Sequence, residues 1–507
     1  MRTVYSVKNS ITQFISNIVM LVTLFIAQSM FIRILGIEYN GLNGLFTNIL
    51  TILNLFELGI GSSITYNLYK YIKNNDKETI TLIMNYYKKA YYCIAILIFI
   101  IGLLIVPFLK YITKDVTIDI NLYIVYILSL LGTVSSYLLS YKRNLLYANQ
   151  RNYIINIIDV IYVIVLNILQ ILIIYITKNY YLYLIIKIVC VILENIIISI
   201  KVNKDYPYIL DKNVKELDKD IKESIISRVK ALMIHKTSGA VTNGTDNIII
   251  STFLGITTVG LYTNYYYIIN SVKKIFLGII NSTGASVGNL LVENNKDKNY
   301  TTYKKIRFLN YWIATFTSVS LLLLTEPFIS IWIGSEYILD TTVLIVLVIN
   351  YFQAMMKTTY HTFREAAGIW IEDKYVPIIQ ILINIVSSII LLKLIGLAGI
   401  FLGTIISSLA MWIYSYPKFL YTKLFNKKVI DYFKEILRSI FIFSLIIIAS
   451  YIIANSITIN NVFIKLLINS LISIIIPNII MYLLFRKTTE YKYYKELIKK
   501  GINKSKK

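Results

Sequence analysis

Runs of about 20 apolar residues, separated by short polar tethers, recur along almost the whole chain. Wound as a helix, such a run covers roughly 30 Å, the thickness of a bilayer's hydrocarbon core. A spanning barrel would instead alternate polar and apolar residues in short strands. The pattern predicts membrane helices near 10–34, 43–69, 90–110, 120–141, 154–177, 180–200, 229–254, 260–290, 308–333, 341–363, 375–393, 396–417, 437–457 and 462–485. The expected fold is therefore an all-α polytopic membrane protein with about fourteen transmembrane helices.

The tethers divide into two sorts. With a cytoplasmic N-terminus, the even-numbered connections collect the lysines and arginines, as in "YKYIKNNDKE", "YKRNLLYANQR" and "NNKDKNYTTYKKIR". The odd-numbered ones are short and poor in positive charge. This asymmetry places both termini in the cytoplasm. The longest polar connection splits the chain into an N-terminal six-helix lobe (1–204) and a C-terminal six-helix lobe (229–425). The linker between them (205–228) has apolar residues at Val214, Leu217, Ile221 and Ile225, the spacing of an amphipathic helix on the membrane surface. Two extra helices (426–485) and a basic tail (486–507) complete the chain.

Three landmarks recur at nearly one spacing, 219, 220 and 221 residues. Leu35-Gly36-Ile37 and Gly41-Leu42 return as Leu254-Gly255-Ile256 and Gly260-Leu261. The pair Asn74-Asn75 returns as Asn294-Asn295, and Arg143 returns as Arg364. The spacing covers an even number of helices, so the two lobes are expected to be parallel copies flanking a cleft that opens alternately inward and outward.

Composition reinforces the membrane reading: 57% of residues are hydrophobic, 15% are charged, and mean hydropathy is +0.65. The net charge of +24 sits in tethers rather than in a soluble domain, so it reports topology and not nucleic-acid binding. Cys93 and Cys190 both lie in apolar runs, and the chain has two histidines, so neither a disulfide framework nor a metal centre is expected. No nucleophile–base pair or phosphate-cradling glycine loop is evident, and a non-enzymatic role is expected.

Charge at membrane depth faces a cavity or a partner. On that ground Arg33, Glu57, Lys236, Lys273 and Lys274 are candidate substrate-binding residues. Successive helical residues diverge by about 100°, so Lys273 and Lys274 cannot both face one cleft. The seventh run, "MIHKTSGAVTNGTDNIIIS", is unusually polar, and its Asp246 is the candidate for a coupling cation. Gln380 and Asn384, four residues apart on one helical face, could add neutral oxygen ligands. The competing reading of all these groups is mutual pairing that holds the lobes together.

The segments "FIRILGIEYNGL", "LFELGIGSSI", "GTDNIIISTFLGITTVGLYTNYY" and "LIGLAGIFLGTIIS" resemble the polysaccharide-transport branch of the multidrug, oligosaccharidyl-lipid and polysaccharide exporter superfamily. The resemblance covers essentially the whole chain. It implies a flippase in a bacterial cytoplasmic membrane that moves an undecaprenyl-diphosphate-linked oligosaccharide to the outer leaflet for surface polysaccharide assembly. It also implies membrane lipids, a polymerase and glycosyltransferases as partners, and Na+ or H+ as coupling ion, with no other cofactor. Arg33, Lys273 and Lys236 would meet the diphosphate, and Asp246 with Asn384 resembles a cation site. A cation-coupled drug exporter or a lipid II flippase of the same superfamily are the alternatives. From another class, a membrane polysaccharide polymerase or ligase remains, although such enzymes tend to carry a large outer loop.

Overall fold

The computed structural model describes residues 2–57, 60–211, 217–293, 295–369, 372–373 and 375–505; the side chains at 230–243 and at some other helical positions are not described. Among the described residues the chain is helical, with no strand. The protein is an all-α polytopic membrane protein. Among the described residues, eleven helices are long and apolar enough to cross a membrane, against the fourteen expected.

The three expected spans that fall outside this set are the second, seventh and eighth, and each has a physical reason. The second is broken: α2 (Ile37–Leu53) ends in a 3-10 turn at Asn54–Glu57, and α3 (Ile60–Lys73) follows. The seventh and eighth carry the polar and basic residues singled out above, which lowers their hydropathy.

The first compact unit runs from Met1 to Gly260. It contains α1 (Arg2–Leu35), α2, α3, α4 (Lys77–Ile105), α5 (Leu122–Tyr137), α6 (Asn152–Thr177), α7 (Tyr180–Asp205) and α8 (Lys219–Leu254). The unit thus extends past the polar connection at 205–228 and takes in α8, because α8 packs on α2. There, a Cβ on Gly244 would fall on the Ile52 side chain.

The linker also departs from expectation. Its second half is no separate surface helix but the first turns of α8, a single helix of 36 residues. Asp218 caps it by accepting a hydrogen bond from the Asp220 N–H, and no proline interrupts it.

The second unit runs from Leu261 to Lys507. It holds most of α9 (Ile256–Asn281), then α10 (Gly284–Val292), α11 (Lys296–Trp332), α12 (Thr341–Ala366), α13 (Val376–Ile395) and α14 (Leu397–Ala410), the last continued by a π-helical stretch at Met411–Leu424. Next come α15 (Val429–Asn455), α16 (Val462–Phe485) and α17 (Thr489–Ser505). Within "LIGLAGIFLGTIIS", Gly399 and Gly403 let α14 lie against the backbone of α13; a Cβ on either would fall on Leu391 or Ser388. The basic tail forms α17, held by stacking of Tyr491 on Trp312 and by an ion pair between Lys304 and Glu490.

The repeated junction has one conformation in both copies. Gly36 (φ 102°) and Gly255 (φ 87°) each separate two helices in a backbone region that favours glycine. The two copies then lock onto each other. A Cβ on Gly41 would meet the Ile256 carbonyl, and one on Gly260 would meet the Ile37 carbonyl. Asn40, fully buried, donates to the Gly260 carbonyl at 3.0 Å and accepts from Gln28 Nε2 at 2.7 Å.

Substituting valine for Gly41 or Gly260 should therefore destabilise the protein by about 2 kcal/mol, the usual scale of overpacking. Gly278→Ala on α9, where a Cβ meets nothing within 4 Å, should be neutral. Thermal unfolding in detergent, with all three variants compared, checks this.

Candidate functional site

Buried charge sorts into two kinds, satisfied and unsatisfied. The duplicated arginines belong to the first. Arg143 follows the break after α5 and forms ion pairs with Asp159 on α6 and Glu194 on α7, both at 2.9 Å. Arg364, near the end of α12, pairs with Asp373, whose side chain is fully buried and which also accepts from Ser415. Arg307 on α11 pairs with Glu435 on α15 at 2.7 Å and donates to Ser439 at 2.8 Å. Arg143 and Arg307 join helices of one unit and Arg364 ties its helix to the turn that follows it, so these are structural ties.

Glu57 lies in the break between α2 and α3. The Tyr91 hydroxyl donates to its carboxylate at 3.3 Å, and Tyr137 donates to Asn54 beside it at 2.8 Å. No described lysine pairs with it. Neutral donors around a half-buried carboxylate form a polar cluster within the first unit. Arg33 is exposed near the end of α1 and engages a contact of its own. Asp246 on α8 is buried at 4% exposure and likewise has a partner. The side chain of Lys236 lies outside the described residues.

The lysines of the second unit are different. Lys273 on α9 is half-buried while its neighbour Lys274 is exposed, the divergence that helical geometry requires. Lys357 on α12, a residue that the sequence reading passed over, lies near enough to Lys273 for the two charges to act on each other. Both stand about 25 Å along their helices from the N-terminal end. Neither has an ion-pair or hydrogen-bond partner among the described residues. Two like charges left bare at this depth are costly, which makes them a receptor for an anion. The signal for Lys357 was present in the sequence: it interrupts an apolar run in "AMMKTTY".

One helical turn before Lys357 on the same face, Gln353 borders an apolar cavity of about 560 Å³. The cavity lies among α11, α12, α14 and α15, and includes Phe352 and Phe443, which stack with centroids 3.7 Å apart. Cationic groups and a hydrocarbon-lined space thus adjoin along α12.

Gln380 and Asn384 both lie on α13. Gln380 is half-buried; Asn384 is fully buried and donates from Nδ2 to Thr404 Oγ1 on α14 at 3.1 Å. Among the described residues the Asn384 Oδ1 has no hydrogen-bond partner. A buried carbonyl oxygen without a donor suits a cation.

The model of a family described as polysaccharide biosynthesis protein matches residues 30–341, more than half of the chain. The chain belongs to this family. No curated protein matches it. Among solved structures, the lipid II flippase MurJ in an inward closed conformation is similar at a TM-score of 0.66 and 15% identity, covering 94% of this chain and 98% of the flippase. An inward-facing multidrug resistance MATE family transporter gives a TM-score of 0.61 at 15% identity, covering 78% of this chain and 96% of its own. A MATE structure in the bent conformation gives 0.53 at 15% identity, covering 81% and 93%. These likenesses establish that this family member has the fold of MOP superfamily transporters.

Removing one half of the Arg364–Asp373 pair strands a buried charge, a loss of about 3–5 kcal/mol. Arg364→Met should therefore lower the melting temperature sharply. The double variant Arg364→Met/Asp373→Leu should recover much of the loss, which thermal unfolding in detergent measures.

Proposed function

We propose that the protein is a flippase for an undecaprenyl-diphosphate-linked oligosaccharide, carrying it from the inner to the outer leaflet for surface polysaccharide assembly. The observation that carries this reading is the unpaired couple Lys273 and Lys357 within the second unit. A diphosphate supplies the negative charge they lack, and compact ammonium groups hold phosphate as point charges. The apolar cavity one turn away along α12 suits the lipid end of the same amphiphile. Glu57, with its tyrosine and asparagine neighbours, offers hydroxyl-binding groups for sugars. Arg33 of the first unit and Lys274, exposed on another face of α9, are proposed as separate contacts for the substrate.

Family and fold support transport rather than catalysis. The MATE structures leave about a fifth of this chain without a counterpart, whereas the flippase structure covers 94% of it. That favours a lipid-linked cargo over a drug.

The site is proposed to open alternately to the two sides of the membrane. A small cation, Na+ or H+, would bias the cycle, with Asp246 in the first unit and Asn384 with Gln380 in the second as its candidate ligands. Both termini are assigned to the cytoplasm of a bacterial cell by the lysine asymmetry of the tethers. The polymerase and the glycosyltransferases of the assembly pathway would be its working partners.

Transport in proteoliposomes loaded with a fluorescent undecaprenyl-diphosphate oligosaccharide tests the proposal. Lys273→Ala/Lys357→Ala should slow translocation by about tenfold or more, since each lost phosphate contact is charge-assisted, while the protein stays folded. An unchanged rate with the double variant sinks the phosphate assignment. Asp246→Asn should remove the dependence on an imposed cation gradient and leave binding of the cargo intact.

A further inference from the structure

The first unit holds a second unpaired basic site that the transport reading does not use. Its position follows from the lengths of two spans. On α4 and the turn that continues it, the charge-free stretch runs from Ala90 to Leu109, between Lys89 and Lys110. On the antiparallel α5 and its continuation, the charge-free stretch runs from Leu122 to Tyr141 and ends at Lys142. Each stretch is about 30 Å long as a helix, one hydrocarbon thickness. Lys88, Lys89 and Lys142 therefore meet at one membrane–water interface.

They line a common cavity of about 660 Å³. Its walls mix these lysines with tyrosines such as Tyr86 and Tyr92 and with apolar side chains such as Leu82. Lys142 is the built element. It is 6% exposed, and its Nζ donates to Ser199 Oγ at 2.6 Å and to Asn203 Oδ1 at 2.8 Å. Both acceptors are neutral, so its charge is uncompensated and one of its three protons is left over. Lys88 is close enough for its charge to act on Lys142. Among the described residues, Lys88 and Lys89 form no ion pair. Asp211 and Lys222 also border the cavity and have contacts of their own.

The fold does not need a lysine here. At the spacing of 221 that carries Arg143 to Arg364, Lys142 corresponds to Phe363, which is fully buried in an aromatic core. The repeat that keeps its arginine tie fills the adjacent position with a hydrocarbon ring. The first repeat instead carries a charge that is costly to bury without a counter-ion.

We propose that this cavity binds the phosphate of an anionic phospholipid, held by Lys88, Lys89 and Lys142, at the end of the first unit where the linker leaves α7. The membrane is the source because the lysines sit at headgroup depth, and tyrosines at this level are interfacial side chains. The site is separate from the cargo lysines of the second unit and stands whether or not these carry a diphosphate.

Native mass spectrometry of the full-length protein in detergent tests it, with phosphatidylglycerol and phosphatidylcholine titrated separately and inorganic phosphate as a third arm. Phosphatidylglycerol should bind with clear preference over phosphatidylcholine, and Lys88→Ala/Lys89→Ala should weaken it by about tenfold or more. These two lysines are exposed and unpaired, so their loss leaves the packing intact. Lys142→Met should act in the same direction. Lys495→Ala/Lys499→Ala on α17 removes the same charge elsewhere and should leave the preference unchanged. Equal losses from both lysine pairs, equal binding of the two lipids, or binding of inorganic phosphate without the lipid would each overturn the proposal.

Discussion

A charge inside the hydrocarbon layer is tolerated only with a partner, and this constraint organises the whole molecule. Three arginines obey it in the ordinary way: Arg143 and Arg307 are clamped by carboxylates from neighbouring helices, and Arg364 by Asp373 in the turn after its own helix. These ties act within one unit, so they stabilise without reacting. The lysines that escape the rule are the informative ones. Lys273 and Lys357 lack any partner among the described residues, and Lys142 has neutral ones. A cost of this kind persists where a ligand removes it.

The same logic extends to the backbone. Where two helices cross with glycine at the contact, carbonyl groups approach closely and local geometry becomes exacting. The repeated Leu-Gly-Ile-x-x-x-Gly-Leu junction is such a crossing, with each copy supplying the glycine that admits the other's carbonyl. Recurrence of one glycine conformation at Gly36 and Gly255 gives the repeat a structural meaning beyond spacing. Asn40 then breaks the symmetry, since the position 219 residues on is Val259.

Much of this was legible in the sequence because a membrane leaves few options. Runs of about 20 apolar residues had to be helices, and among the described residues eleven are long and apolar enough to span. The family resemblance could be read from glycine-and-charge patterns that the fold uses for close packing, as Gly399 and Gly403 do between α13 and α14. What sequence could not supply was adjacency. The break at Asn54–Glu57 has no proline to announce it. Fusion of the linker into α8 depends on the Asp218 cap and on packing against α2. Lys357 went unnoticed because one lysine in an apolar run gains significance only beside Lys273. Lys142 was read past for the same reason, hidden next to the more conspicuous Arg143.

Membership in the polysaccharide biosynthesis family, the transporter fold and the bare lysines are what support the proposed movement of an anionic, lipid-linked glycan. The most direct measurement is the content of undecaprenyl-diphosphate-linked oligosaccharide in cells depleted of this protein, determined by mass spectrometry of extracted lipids. Accumulation of complete lipid-linked repeat units, with loss of surface polysaccharide, is the expected result. Unchanged intermediates together with normal surface polysaccharide would contradict transport of this cargo.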